Sequence, residues 1–350
     1  MIELCLAIET SCDDTSVALV AGDGEVRGLI SANQDLAHEP FGGIVPEIAC
    51  RNHSVHLLPL IQELFQKAQV DWSEVHGIAV TNRPGLVGSL IVGVVTAKTL
   101  AQTKSLPMIG VNHLEGHVVA PFLRDAQYQP SFDLSVPMVG LAVSGGHTSL
   151  YRIQGFSSYQ ILGATLDDAA GEAFDKFGKM LGLGFPGGAR VDQWAQKGDP
   201  TAFELPRSMI RENNCLMSFS GLKASAQRLV ESLGPEKIQA QRADLCASFQ
   251  SAVVDVLVAK MNRAIEVTGY QHAILTGGVS ANSGLRERAQ SWAQKKGVQL
   301  LIPPLRYCTD NAAMIGYAGI LRLKNGEHHG LDLAPSPNSW AADFTEASNV

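Results

Sequence analysis

Two histidines four residues apart carry the first chemical signal in this chain. In Asn112-His113-Leu114-Glu115-Gly116-His117 the i, i+4 spacing puts both imidazoles on one helix face, where they can share one metal ion. In a zinc peptidase helix the glutamate follows the first histidine directly and acts as base. Here Glu115 comes two residues on, about 200° around the helix, and points away from such an ion. A metallopeptidase would therefore lack its base. Most histidine pairs at this spacing are structural or solvent-exposed, so a third ligand is needed, and Asp310 in Tyr307-Cys308-Thr309-Asp310-Asn311 is the best candidate. Its alternative role is to cap or charge the first turn of the apolar helix expected over Ala312 to Leu323. Two histidines and an aspartate, with no thiolate, leave open positions for substrate oxygens and suit Zn(II) or Fe(II). Gly116 costs about 1 kcal/mol inside a helix and marks a close approach of a neighbouring element.

Three turns rich in Gly, Ser and Thr form a second set: Thr10 to Ser16, Ser144 to Thr148, and Thr276 to Asn282. Such turns let backbone N–H groups point at an anion, although one alone is usually just a tight turn. None matches Gly-x-Gly-x-x-Gly or a Lys-terminated P-loop, so the three together argue for a phosphate site of another architecture. The third set is Asp167-Asp168-Ala169-Ala170-Gly171-Glu172-Ala173-Phe174-Asp175-Lys176, with Asp168, Glu172 and Asp175 at helical spacing. Its plain reading is a solvated helix face. The Phe185-Pro186-Gly187-Gly188 turn, just ahead of Asp192, adds bare backbone on which a nucleoside ring can lie.

The elements that must hold these residues read as a duplication. Leu4 to Val20 and Val139 to Ile153 are each expected to form a β-hairpin with a small-residue tip. Gly77 to Val80 and His272 to Leu275 are each expected to be a strand that runs through a turn into a helix, the helices ending near Gln102 and Lys296. Helical periodicity also covers Val45 to Ala68, Asp167 to Leu181 and Ala243 to Thr268. The expected organisation is α/β, with two facing lobes over 1–130 and 131–330 and an irregular tail over 331–350. At 350 residues, 45% apolar and 17% charged, the chain is globular and long enough for two cores. Its formal charge of −7 gives no global field for a polyanion, so nucleic acid would need a local patch or a partner. Six scattered cysteines without a Cys-x-x-Cys pair suit free thiols in the cytoplasm. The N-terminus, with Glu3 and Glu9, does not read as a secretory signal, and the apolar run Leu86 to Ala97 stops short of the ~20 residues a membrane span needs.

Over nearly its whole length the chain resembles the bacterial tRNA N6-adenosine threonylcarbamoyltransferase (TsaD-type) family, once described as O-sialoglycoprotein endopeptidases. The resemblance rests on Glu9-Thr10-Ser11-Cys12-Asp13, Gly42-Gly43-Ile44-Val45-Pro46-Glu47, His113 to His117, Ser144 to Thr148, Asp167 to Lys176, Ser218-Phe219-Ser220-Gly221-Leu222-Lys223, Gly277 to Asn282 and Cys308 to Asn311. It implies the duplicated actin-like ATPase fold of acetate and sugar kinases, heat-shock ATPases and actin, with two lobes around a central cleft. It implies transfer of threonylcarbamoyl from threonylcarbamoyl-adenylate to N6 of adenosine 37 in tRNAs reading codons that begin with A, with release of AMP. By the same resemblance His113, His117 and Asp310 would be metal ligands. Ala142, Val143, Ser144, Gly145, Gly146, Asp175, Gly188, Asp192 and Asn282 would hold the adenylate. Asp13, at the first hairpin tip, is the expected base or positioning residue, a turn-stabilising Asx bond being the alternative. The implied partners are an inactive TsaB-type paralogue, on helices of the first lobe, and a small TsaE-type ATPase, with tRNA met by basic residues such as Arg207, Arg211, Lys223 and Arg228. Two departures stand out: Asp14 replaces a frequent Glu, and Asn82-Arg83-Pro84-Gly85 replaces a small-Gly-Pro-Gly turn. The runner-up is an ATP-dependent small-molecule kinase of the same fold, which needs Mg(II) on phosphates and no histidine site.

Overall fold

A computed structural model describes residues 2–338 and 345–346. The first sheet is built from β1 (Leu4–Glu9), β2 (Thr15–Ala21), β3 (Val26–Ala32), β4 (Gly77–Arg83) and β5 (Met108–Asn112), in the order β3-β2-β1-β4-β5. Strands β1, β2 and β3 form an antiparallel meander, and β4 and β5 add in parallel to β1. In the second sheet β6 (Met138–Val143), β7 (Thr148–Gly155), β8 (Ser158–Ala164), β9 (His272–Thr276) and β10 (Gln299–Leu301) run β10-β9-β6-β7-β8, with the two-residue β11 (Thr345–Glu346) beside β8. The pairing senses repeat those of the first sheet strand for strand, so the expected duplication is present. Strands β3, β5, β8 and β10 escaped the sequence reading, because they are short or half-exposed and carry little period-2 alternation.

Ten helices among the described residues clothe the sheets: α1 (Asp35–His38), α2 (Pro46–Ala68), α3 (Val87–Lys104), α4 (His113–Val119), α5 (Ala170–Met180), α6 (Gly187–Ala195), α7 (Ser220–Ala240, interrupted at Gly234), α8 (Arg242–Thr268), α9 (Ser283–Lys296) and α10 (Ala312–Lys324). Residues Cys5, Leu6, Ala7 and Ile8 of β1 are all fully buried, as a strand covered on both faces requires. Helices α2 and α3 pack with this sheet to form one core, while α10 packs on β1, β2, β4 and β5. A second core joins β6 and β9 to α5, α6, α8 and α9.

By contact the chain divides into one unit of Met1–Leu134 with Pro303–Asp343 and another of Ser135–Ile302 with Phe344–Val350. The boundaries expected from sequence differ from this, for they gave 131–330 to the second lobe. The reason is α10, which is apolar nearly all round and buries nine of its residues, covering strands of the first sheet. Helix α5 also starts later than the expected Asp167. The Asp167 carboxylate instead accepts from the N–H groups of Phe219 (2.8 Å) and Ser220 (3.2 Å), capping the start of α7. Residues 331–338 hold no helix or strand, and β11 gives the tail one short paired segment; 339–344 and 347–350 lie outside the described residues.

Candidate metal centre and substrate loops

Parallel strands β1, β4 and β5 deliver their C-terminal ends to one edge of the first sheet, where sites in α/β folds form. Glu9 ends β1, Thr81 lies near the end of β4, and Asn112 ends β5 and caps α4 by accepting from Leu114 N–H at 2.8 Å. That cap fixes the helix that carries His113 and His117. The two rings sit edge to face with centroids 4.7 Å apart, and each Nε2 lies 3.2 Å from Asp310 Oδ1. One ligand atom from each of the three residues falls within 4.8 Å of the others, a group that could hold a metal ion. The donor set fits the divalent ions named from sequence, since two imidazoles and a carboxylate leave coordination positions open.

Asp310 reaches this point because Asn311, and not Asp310, caps α10: its Oδ1 accepts from Met314 N–H at 3.0 Å. The N-cap alternative for Asp310 is thereby replaced. Gly116 makes the close approach expected of it, as a Cβ there would stand 2.8 Å from Ile315 Cδ1 and 3.1 Å from Met314 Cγ of α10. Glu115 faces away from the imidazoles, as its spacing demanded, and takes two hydrogen bonds from Arg322, Nε at 2.7 Å and Nη2 at 3.0 Å.

Electrostatics bind the centre together. Burial alone would lower the His113 pKa, but the charges of Asp310 and Glu9 outweigh it and raise it well above the ordinary value. Asp310 would be raised by burial, yet the His113 charge and hydrogen bonds from both imidazoles hold it well below the usual carboxylate range. His117 moves the other way from His113, lowered chiefly by burial. Glu9, fully buried, is depressed once the His113 charge overcomes burial. Glu9, Ser11 and Thr81 had no assigned role in the sequence reading, although Glu9 and Ser11 lie inside its motif; the signal was a carboxylate and hydroxyls at the C-terminal ends of adjacent parallel strands.

At the first hairpin tip burial raises the pKa of Asp13, with the Asp310 charge adding to it, and Asp14 is pushed up to about 8 by burial and by Asp13, Asp310 and Asp35. Asp14 Oδ1 accepts from Asn33 Nδ2 at 3.1 Å. The tip is steadied by α2, where His53 bonds Thr15 Oγ1 through Nδ1 (2.8 Å) and the Cys12 carbonyl through Nε2 (2.9 Å). The Arg83 departure leaves close packing intact: Arg83 is buried and donates to Asn82 Oδ1 at 2.9 Å, and Leu86 N–H still reaches the Ser11 carbonyl at 2.8 Å.

The expected adenylate residues all belong to the second unit. Ala142 and Val143 end β6, and the Ser144-Gly145-Gly146-His147 turn is closed by Ser144 N–H to His147 O at 2.8 Å. The turn after β9 abuts it. Gly277 has φ +89°, and a Cβ there would meet the Val143 carbonyl oxygen at 2.5 Å, so only glycine fits. Asp175 Oδ1 accepts from Gly188 N–H at 2.8 Å, tying α5 to α6. One turn along α6, Asp192 accepts from Ser283 N–H (3.2 Å) and Ser283 Oγ (2.7 Å), and Asn282 caps α9 through Leu285 N–H at 2.9 Å. Asp175, Gly188, Asp192 and Asn282 thus form one connected series. Asp168 and Glu172 do not join it: both pair with Lys176, and Asp168 also with Lys223. Among the basic residues singled out, Arg207 is held by Asp255 at 2.8 Å, whereas Arg211 and Arg228 are exposed. No helix among the described residues is long and apolar enough to cross a membrane.

Comparison with known proteins shows the family and the fold. Residues 25–317 match the family model TsaD, tRNA N6-adenosine threonylcarbamoyltransferase. The chain is 66% identical over 344 residues to the tRNA N6-adenosine threonylcarbamoyltransferase of Bdellovibrio bacteriovorus, covering 98% of this chain and 100% of that relative. It is 48% identical over 341 residues to the enzyme of the same name from Sorangium cellulosum, covering 94% of each. Among solved structures, HypF of T. kodakarensis superposes with a TM-score of 0.60 at 13% identity, over 92% of this chain and 48% of HypF. Component A of the Acidaminococcus fermentans (R)-2-hydroxyglutaryl-CoA dehydratase gives 0.51 at 12% identity, over 92% of this chain and 98% of that one. These likenesses extend to the fold alone, which is the actin-like ATPase fold.

Proposed function

The chain belongs to the tRNA N6-adenosine threonylcarbamoyltransferase family, and from that premise we propose how its residues carry the reaction. The substrate is threonylcarbamoyl-adenylate, the acceptor is N6 of adenosine 37 in tRNAs reading codons that begin with A, and the products are the modified tRNA and AMP. N6 attacks the carbamoyl carbon, the bond from that carbon to the phosphate oxygen breaks, AMP leaves with the electron pair, and N6 gives up a proton. Asp13 takes that proton, its basicity raised by burial and by the Asp310 charge. Backbone N–H groups of Gly145 and Gly146 face the phosphate, while Ser144 N–H closes the turn on His147 O and Ala142 and Val143 stand behind them. The series Asp175, Gly188, Asp192 and Asn282 shapes the nucleoside end. His113, His117 and Asp310 would hold Zn(II) or Fe(II), which when bound supplies a Lewis acid for substrate oxygens.

A single observation carries this reading: in a chain of this family, His113 and His117 Nε2 converge on Asp310 Oδ1 at 3.2 Å each. The kinase alternative is not favoured, for the relatives are transferases and a phosphate-bound Mg(II) has no use for this pair. The cytoplasm is the proposed location, which suits the six free cysteines. A TsaB-type paralogue and a TsaE-type ATPase are the proposed partners. The paralogue would cover exposed apolar side chains on the adjacent helices α2 (Val55, Leu58) and α3 (Val87, Ile91, Val95). The decisive test incubates the protein and these partners with threonylcarbamoyl-adenylate and unmodified tRNA, then analyses the digested tRNA for threonylcarbamoyladenosine. The product is expected with the wild type and lost with His113→Ala and His117→Ala, and undiminished modification by both variants would refute the metal role.

A further inference from the structure

We propose that Glu9 is a positioning residue for the metal centre, fixing His113 as the tautomer whose Nε2 lone pair is free for the ion. The inference rests on the metal reading above and adds to it the residue that aims one of the ligands. Glu9 is the last residue of β1 and is fully buried. Its Oε1 accepts from Ser11 N–H at 2.5 Å, and its Oε2 accepts from Thr81 Oγ1 at 2.5 Å and from His113 Nδ1 at 3.0 Å. The strand order explains the reach: β4 lies between β1 and β5, so the Glu9 side chain crosses the end of β4 at Thr81 to meet the helix that follows β5.

The chemistry of the donors decides the tautomer once an ion takes the place of the hydrogen between His113 Nε2 and Asp310. An ionised carboxylate only accepts, so His113 Nδ1 must carry the hydrogen of their bond. The ring is then oriented with Nε2 toward Asp310 Oδ1, on the side where His117 Nε2 also converges. A carboxylate behind a ligating imidazole also makes it a better donor to a metal ion. Ser11 N–H and Thr81 Oγ1 hold the carboxylate in place, so that Glu9 cannot rotate away from the ring.

The test uses the full chain and Zn(II) alone. Glu9→Gln is expected to raise the Zn(II) dissociation constant ~10–100-fold by chelator competition, because an amide offers one accepting oxygen to three donors and turns an NH₂ toward the others. Thr81→Val, which removes one of the donors that hold the carboxylate but leaves the Glu9–His113 bond, is expected to lose far less Zn(II) affinity than Glu9→Gln; an equal loss in both variants would reduce Glu9 to a structural part of the strand ends and overturn the inference. So would a Glu9→Gln protein that binds Zn(II) as the wild type does. Should Glu9→Gln not fold, nitrogen NMR of the Zn(II)-loaded wild type decides: Nδ1–H with metal-bound Nε2 is expected at His113, and metal on Nδ1 overturns the assignment. A wild type that takes up no Zn(II) at all, or a His113→Ala variant that binds it equally well, would instead bring down the metal reading on which the inference stands.

Discussion

Asp14 illustrates how a residue one methylene shorter than the family's frequent Glu still lives in a demanding place. Its carboxyl titrates at about 8, raised by burial first and then by the charges of Asp13, Asp310 and Asp35. The ordinary aspartate value is about 3.9, so between roughly pH 4 and 8 the native chain holds a proton that the unfolded chain has released. Stability must therefore fall as pH rises through that window, by up to about 1.4 kcal/mol per pH unit for one whole proton. Asp14→Asn removes the ionisation and should flatten this part of the profile. Urea denaturation of metal-free protein at pH 5, 6.5 and 8 measures it, and parallel profiles for variant and wild type would mean that Asp14 titrates normally.

Helices α4 and α10 supply all three proposed ligands between them, Asp310 standing just ahead of α10, and their alignment is a property of elements. Two contacts set it. Gly116 lets the helices come close at Ile315 and Met314, and further along α10 Arg322 grips Glu115 while also donating to Glu327 at 2.6 Å. The Glu115 side chain is only 1% exposed, so its charge depends on that guanidinium. Arg322→Met should strand a buried carboxylate and cost about 3–5 kcal/mol, most of it recovered when Glu115→Leu is added. Equilibrium denaturation of the single and double variants checks this, and a single-variant loss below about 1 kcal/mol would show that the pair adds little.

Across the whole molecule, two sheets of like strand order carry two separate sets of candidate residues, the proposed metal ligands in one unit and the proposed adenylate turns in the other. The first unit also exposes a paired apolar face: Val55 and Leu58 are 64% and 60% exposed, and Val87, Ile91 and Val95 recur every four residues along α3. A monomer gains nothing from such a face. Leu58→Glu combined with Val95→Glu should abolish co-elution with the proposed TsaB-type paralogue on size-exclusion chromatography while Zn(II) uptake stays at the wild-type level. Co-elution undisturbed by two buried charges would move the partner to another surface.

How much of this was legible in advance follows from the range of each interaction. Spacing along a helix and the composition of turns are local, so residues 113 to 117, the two hairpins and the strand-turn-helix units could be read directly. The i, i+4 rule even told which way Glu115 would face, though not that Arg322 would meet it from more than 200 residues away. The half-exposed β3 and the short β5 and β10 were hidden because a short strand is stabilised by neighbours that the local pattern does not mention.

The amino-acid order by itself determined the duplication, the helix bearing both imidazoles and the glycine-lined turns, since each follows from residues within a few positions of one another. Tertiary structure alone decided that α10 returns to the first sheet, that Asn311 takes the cap and releases Asp310 to the histidines, and that Glu9 reaches His113 over Thr81. These depend on which strands lie side by side and on which face of a sheet is left to cover, and both are set by packing between segments far apart in the chain.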